Sequence, residues 1–297
     1  MPELPEVESL VVFLRERIVD HRVSQVALAS INALKTFDPP VTALVDAHVL
    51  EVSRRGKFID IAMVDAHGEA VHLVTHLARA GWLQWRDQIP ATPPKPGKGP
   101  IAFRMGFCFE DGTASGGFDL TEAGTQKKLA VYVVRSPDDI ERLHSLGPEP
   151  LSDEFTLQVF ADILQGGGKR QLKGLLRDQS TIAGIGNAYS DEILHVAKLS
   201  PFLAADSLDE QRTATLYQAL RATLGDAVER SVGIAAGLVK SEKKLGMRVH
   251  GRTGAECGEC GDVIREVSFA DSSLQYCATC QTGGAPLADR RTSKFLK

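Results

Sequence analysis

The chain has 297 residues, 43% of them hydrophobic and 24% charged, which supplies enough apolar material for a sizeable core and argues against wholesale disorder. At roughly 150 residues per domain, two or three domains are expected. A net charge of −4 excludes a globally basic protein, so a polyanionic partner would have to be met by a local patch.

The N-terminus, MPELPEVESL, carries acids where a secretory signal needs basic residues and an apolar stretch, and no apolar run reaches the roughly 20 residues of a membrane span. A cytoplasmic protein is expected. Val7, Leu10, Leu14 and Ile18 recur at helical spacing, with Pro5 suited to a first turn, and predict a helix over 4–18. From Val23 to Val134 the pattern becomes short β-like runs, including Val49 to Val52, Phe58 to Val64 and Val71 to Thr75, with Asp65 to Gly68 as a hairpin turn. This predicts a mostly antiparallel β domain. Pro90 to Pro100, with five prolines and two glycines, is expected to project as a loop without secondary structure. Cys108, alone in the apolar run Phe103 to Phe109, is expected to be a small buried hydrophobe.

Beyond Arg135 the pattern turns helical. Ser207-Leu-Asp-Glu210 has the form of a capping box ahead of Leu216, Leu220, Leu224 and Val228, which recur every four residues. Between Lys169 and Val196 two helical stretches flank Ala183-Gly-Ile-Gly-Asn187, where the glycines permit a tight turn and Asn187 is expected to cap the next helix. With Lys169, Arg170, Lys173 and Arg177 just upstream, this turn reads either as a phosphate seat or as a plain helix connection with a solvated basic face.

Four of the five cysteines fall within 24 residues, Cys257-Gly-Glu-Cys260 and Cys277-Ala-Thr-Cys280, separated by 16 residues. Two disulfides or one tetrathiolate zinc site fit that spacing, and a cytoplasmic chain favours zinc. The segment from Gly237 onward holds 10 Lys/Arg against 7 Asp/Glu, so the acidic balance lies upstream of it. At the other end, removal of Met1 ahead of a small residue would expose the secondary amine of Pro2. An α-amino group titrates near about 8, which leaves a neutral, nucleophilic fraction at physiological pH. Glu3 and Glu6, in the first helical turn, either transfer protons beside that amine or merely complement the helix dipole.

Taken in order, MPELPEVE, Arg54-Arg-Gly-Lys57, Asp178-Gln-Ser-Thr-Ile-Ala-Gly-Ile-Gly-Asn187, His250-Gly-Arg-Thr-Gly254 and the four cysteines resemble the formamidopyrimidine-DNA glycosylase and endonuclease VIII family over about the whole chain. The resemblance implies an α+β protein. It would comprise an N-terminal β-sandwich with a flanking helix over 1–135, a helix-two-turns-helix DNA-binding domain over 136–248, a zinc finger over 249–284 and a basic tail over 285–297. It also implies a bifunctional DNA glycosylase and AP lyase of base excision repair, monomeric, bound to duplex DNA with damaged bases or abasic sites, and holding one structural zinc ion. In such enzymes the damaged nucleotide is flipped out and the N-terminal amine attacks C1′ of its sugar. Pro2 then matches the amine, Glu3 the proton-transfer carboxylate, Glu6 a supporting acid, and Lys57, His76 and Asn187 the phosphate contacts. Lys173, in the basic run ahead of the glycine turn, is counted with the DNA-binding residues.

Some positions depart from the family pattern. Arg79 stands where a methionine wedge is expected, and Lys127 and Leu129 are the nearest matches to an arginine and a phenylalanine that fill the gap left by the flipped base. Ser272 occupies the place of a phosphate-binding finger arginine, which leaves Arg265 or the basic tail as its replacement. Gly233 to Arg248 lacks the loop that oxidised-purine enzymes place over the base, so the preferred lesion stays open. The alternative function is a catalytically weak relative that binds damaged DNA as a recognition module.

Overall fold

In the computed structural model, which describes residues 1–124, 126–270 and 272–288, helix α1 (Leu4–Ile18) occupies the span that the periodicity predicts. Its four periodic residues are fully buried. Eight strands follow: β1 (Arg22–Leu28), β2 (His48–Arg55), β3 (Phe58–Val64), β4 (Ala70–His76), β5 (Gly81–Arg86), β6 (Ile101–Cys108), β7 (Ala114–Glu122) and β8 (Ala130–Val134). They form one antiparallel ladder in the order β5-β7-β6-β1-β2-β3-β4-β8. β1 and β2 share the single register pair Arg22↔His48, so the ladder folds there into two four-stranded halves. Inward residues from both halves, such as Ile61, Leu73, Phe103 and Leu120, join α1 in one core, as expected of a sandwich. Cys108 is buried at its edge.

The proline-rich segment has no regular structure, as expected, but it does not project. Arg104 Nη1 donates to Thr92 O at 3.3 Å, Gly97 N–H to Ala29 O at 2.8 Å and Glu122 N–H to Pro100 O at 2.7 Å, which pins the loop to the sheet. Arg104 is itself held at 2.7 Å by Asp119, a fully buried carboxylate that also accepts from Arg86. Ile89 packs against Gly106 and Gly117, and at Gly117 a side chain has no room.

After Val134 a short 3-10 turn and helix α2 (Glu141–His144) complete the first stretch of this unit. Compact packing divides the chain into Met1–Ser145 with Ser231–Lys240, and Leu146–Arg230 with Ser241 onward. The second unit contains α3 (Leu157–Gly167), α4 (Leu172–Arg177), α5 (Asn187–Val196), most of α6 (Glu210–Ser231) and of α7 (Val239–Gly246), the hairpin β9 (Ile264–Ser268) and β10 (Ser273–Cys277), and α8 (Ala278–Thr282). Residues 231–240, expected within the helical domain, pack with the β unit instead, because Ala236 and Val239 enter its core and Ala236 O accepts the Trp82 indole N–H at 3.1 Å. The capping box also differs. Asp209, not Ser207, caps α6 by accepting the Arg212 N–H at 2.8 Å, while Ser207 ends a separate 3-10 turn. Among the described residues no helix is long and apolar enough to cross a membrane.

A methyl group at Gly117 would meet Met105 O at 2.2 Å and Ile89 Cγ1 at 2.7 Å. Gly117→Ala is therefore expected to destabilise the protein by about 1–3 kcal/mol in urea unfolding. An unchanged midpoint would show that the sheet and its loop yield freely there.

Candidate functional site

The start of α1 is built around its own acids. Glu3 is the N-cap residue, and its backbone N–H donates at 2.8 Å to Glu6 Oε2, one half of a capping box. Pro2 is buried, and Glu3 and Glu6 are only 2% and 1% exposed. Acids that merely complement a helix dipole sit well in solvent; these two are shut away from it. The helix N-terminus adds partial positive charge at the same place, which suits a neutral amine beside it.

The β2–β3 hairpin is fastened to this helix. Arg54 Nε donates to Glu8 Oε2 at 2.7 Å, its Nη1 reaches Gly56 O at 2.9 Å, and Arg15 Nη2 donates to Val52 O at 2.8 Å. Gly56 takes φ 57°, a left-handed conformation that suits the two-residue turn Gly56-Lys57. Lys57 emerges from this turn only 6% exposed, an unusual state for a lysine outside a functional or paired site.

His76 ends β4 opposite Phe58, with the two ring centroids 4.7 Å apart. Its Nδ1 is buried and has no hydrogen-bond partner among the described residues. Burial, then the positive charges of Arg142 and Lys57, lower its pKa to about 4. The ring is neutral at physiological pH, and the cations around it suit an anionic ligand. Arg142, on α2 with its guanidinium carbon 5.5 Å from the Phe58 ring centroid, is a residue that the sequence does not single out, since it carries no signal beyond its charge.

The three expected gap-filling positions separate. Arg79 is exposed on a turn and Lys127 on a loop. Leu129 is not at the surface at all: it is 1% exposed within the core, and its backbone N–H donates to the buried Glu122 carboxylate at 2.9 Å. A wedge at this position is therefore corrected to a core residue. The Lys128 N–H reaches the same Glu122 oxygen at 2.6 Å, which leaves Lys127 near the tip of a loop tied off by Glu122; Thr125 in that loop lies outside the described residues.

In the second unit Lys173 is also reassigned. It is 5% exposed and its ammonium donates to Asn187 O at 3.0 Å, Ser190 Oγ at 2.9 Å and Asp191 Oδ1 at 2.6 Å. An ammonium has three N–H donors, and all three are spent inside the protein. Lys169 and Arg170 pair with Asp206 and Asp178, so of the four upstream cations Arg177 is the exposed one with no ion pair among the described residues. Asn187 does not cap α5; it is the first helical residue, preceded by Gly186 as the cap. Its Nδ2 donates to Ser273 O at 2.8 Å, and its Oδ1 is buried without a partner among the described residues.

The four cysteine sulfurs lie within 4.8 Å of one another, with Cys257 to Cys280 at 3.9 Å and Cys260 to Cys277 at 3.4 Å. A tetrahedron with metal–sulfur bonds of about 2.3 Å requires S···S near about 3.8 Å, so the set fits a metal ion. Burial pushes the Cys277 thiol up to about 11 and Cys280 higher still, which leaves these two protonated unless a cation replaces the protons. Arg265, on β9 opposite Tyr276, is 40% exposed and contacts Asp262 at 3.5 Å, with its Nε buried and unpartnered among the described residues. The basic tail, Asp289 to Lys297, lies outside the described residues.

Residues 1–125 match the formamidopyrimidine-DNA glycosylase N-terminal domain and residues 146–236 the formamidopyrimidine-DNA glycosylase H2TH domain. A formamidopyrimidine-DNA glycosylase of Geobacillus kaustophilus is 31% identical over 289 residues, covering 95% of this chain and all of its own. An uncharacterized formamidopyrimidine-DNA glycosylase-like protein of Mycobacterium tuberculosis is 54% identical over 153 residues, 52% of this chain and 95% of its own. Among solved structures, the wild-type Lactococcus lactis Fpg in complex with DNA containing an oxidized pyrimidine aligns with TM-score 0.80 at 24% identity, over 95% of this chain and all of that one.

With a folded-state pKa of about 4 against an ordinary 6.5, His76 is protonated more readily in the unfolded chain. Its contribution to stability is complete above about pH 6.5 and is lost as the pH falls toward 4, by up to about 2 kcal/mol at pH 5. Urea midpoints at pH 7 and pH 5 are expected to diverge less in His76→Gln than in the wild type; equal divergence would place the acid sensitivity elsewhere.

Proposed function

Because the chain belongs to the formamidopyrimidine-DNA glycosylase family, we propose that it is a bifunctional DNA glycosylase and AP lyase, monomeric and acting on duplex DNA at damaged bases or abasic sites. The observation that carries this reading is the burial of Glu3 and Glu6 at the start of α1, behind a residue whose amine becomes the N-terminus once Met1 is removed. The neutral Pro2 amine attacks C1′ of the extruded nucleotide, and the base departs with the electrons of the glycosidic bond. Glu3 supplies the proton that opens the sugar or accompanies the leaving base, and Glu6 holds Glu3 in place through its backbone N–H. The resulting iminium draws electrons from C2′, whose proton is lost as the 3′-phosphate is eliminated.

Binding falls to the cations. Lys57 and the neutral His76, in a field strengthened by Arg142, take the phosphate beside the lesion, and Asn187 takes another at the start of α5. Arg79 and Lys127 are the exposed side chains left to meet the gap and the opposite strand once Leu129 is assigned to the core. One zinc ion, held by Cys257, Cys260, Cys277 and Cys280, fixes the finger that presents Arg265. The reading of a catalytically weak binding module draws on the replaced wedge and on Ser272 in place of the finger arginine, and the same assay separates the two.

Borohydride trapping on lesion-containing duplexes is expected to capture the wild-type protein covalently, and Pro2→Gly to slow trapping by two or more orders of magnitude, at about 1.4 kcal/mol per tenfold, with DNA binding near wild type. Glu3→Gln is expected to lose base excision while retaining more of its elimination from a preformed abasic site. No trapping by the wild type on any lesion would favour the binding module, and an unchanged yield in Pro2→Gly would move the chemistry to a lysine. Metal analysis is expected to find one zinc per chain, lowered in Cys277→Ser with the β unit still folded. Full zinc in a Cys257/Cys277 double variant would remove the tetrathiolate assignment.

A further inference from the structure

Helix α5 meets the finger along one face. Asn187, Asp191 and His195 are spaced four residues apart, and so stand one above another on the helix. Asn187 Nδ2 donates to Ser273 O at 2.8 Å, Asp191 Oδ2 faces His250 Nδ1 at 2.8 Å and accepts the Gln275 N–H at 3.3 Å, and His195 Nε2 lies 3.3 Å from Cys257 Sγ. The last of these contacts reaches a metal-ligand position.

His195 is 2% exposed, and its other ring nitrogen, Nδ1, is buried with no partner among the described residues. A neutral imidazole has one N–H and one lone pair. Opposite a metal-bound thiolate, which has no proton to give, a proton on Nδ1 would leave an N–H buried and unpaired while the Nε2 lone pair faced the lone pairs of sulfur. With the proton on Nε2, the ring donates to sulfur and leaves only an acceptor unpaired, so this tautomer is the favoured one. Two other sulfurs have donors from their own loops: the Asp262 backbone N–H serves Cys260 and the Cys280 N–H serves Cys277. Cys257 is 3% exposed, so water is a poor substitute, and its donor comes from a helix 62 residues upstream.

We propose that His195 is a positioning residue of the metal site, its Nε2–H donating to the metal-bound thiolate of Cys257 and completing the polar ladder that registers the finger on α5. The proposal rests on the zinc reading above. A tetrathiolate zinc centre carries a net charge of −2, and an N–H directed at the buried Cys257 sulfur offsets part of that charge.

The test uses the full chain loaded with zinc or cobalt. His195→Phe keeps the ring and removes the donor; His195→Gln places an amide N–H near the position of Nε2. Chelator competition is expected to show zinc affinity lowered 10- to 100-fold in His195→Phe, as for outer-shell partners of metal ligands generally, and restored to within a few-fold in His195→Gln. In the cobalt-loaded protein the sulfur-to-cobalt charge-transfer band should move to lower energy in His195→Phe and return in His195→Gln. Equal affinity and an unmoved band in His195→Phe would overturn the proposal. So would equal loss in both variants, which would assign His195 to packing. A wild-type protein that binds neither metal would instead overturn the zinc reading itself, and the proposal with it.

Discussion

The adjacent carboxylates of Asp191 and Glu192 hold the C-terminal unit together. Glu192 accepts three successive backbone N–H groups, from Arg248 at 2.7 Å, Val249 at 2.9 Å and His250 at 2.8 Å, while Asp191 takes the Lys173 ammonium, the His250 ring and the Gln275 N–H. Burial raises the pKa of Glu192 and those N–H groups oppose the rise, so its ionised form depends on the chain that folds around it. Each partner is needed by the other, because a buried carboxylate or N–H left unpaired costs on the order of 1–3 kcal/mol. The glycine turn before α5, the start of the finger and its second strand are thereby referred to two neighbouring side chains.

The N-terminal unit uses acids differently. The first turns of α1 hold three glutamates, and each acts on a different neighbour. Glu3 is buried beside the chain terminus, Glu6 accepts the Glu3 N–H, and Glu8 fixes Arg54 and with it the hairpin that carries Lys57. Positive charge gathers elsewhere in the unit, around the His76 Nδ1 that has no partner among the described residues.

What is legible in the sequence is whatever depends on spacing along the chain. Helix α1 follows from a 3.6-residue period, the cysteine cluster from paired C-x2-C motifs, and the antiparallel strands from apolar runs between turns. What depends on contacts remote in sequence is not legible. The commitment of Lys173 to Asp191, 18 residues away, follows from the path of the turn between α4 and α5 and leaves no trace in local composition. Leu129 reads as a wedge only by matching across an insertion, whereas the tie from Glu122 draws it into the core. Ser207 and Asp209 both have cap chemistry, and only the start of α6 decides between them. Arg142 and His195 take their surroundings from strands and loops far along the chain, so neither carries a local signal.

The return of residues 231–240 to the first unit bears on how the protein is made. The chain leaves the β unit after Ser145, builds a helical stretch of 85 residues from Leu146 to Arg230, and only then supplies Ala236 and Val239 to the first core. During synthesis the β unit therefore lacks the Ala236 carbonyl for its Trp82 indole N–H, and two of its core residues, until residues 231–240 have emerged. The two units are separate in packing but interleaved in time. A fragment ending at Ser145 would contain every strand of the sandwich and still lack the last residues of its core.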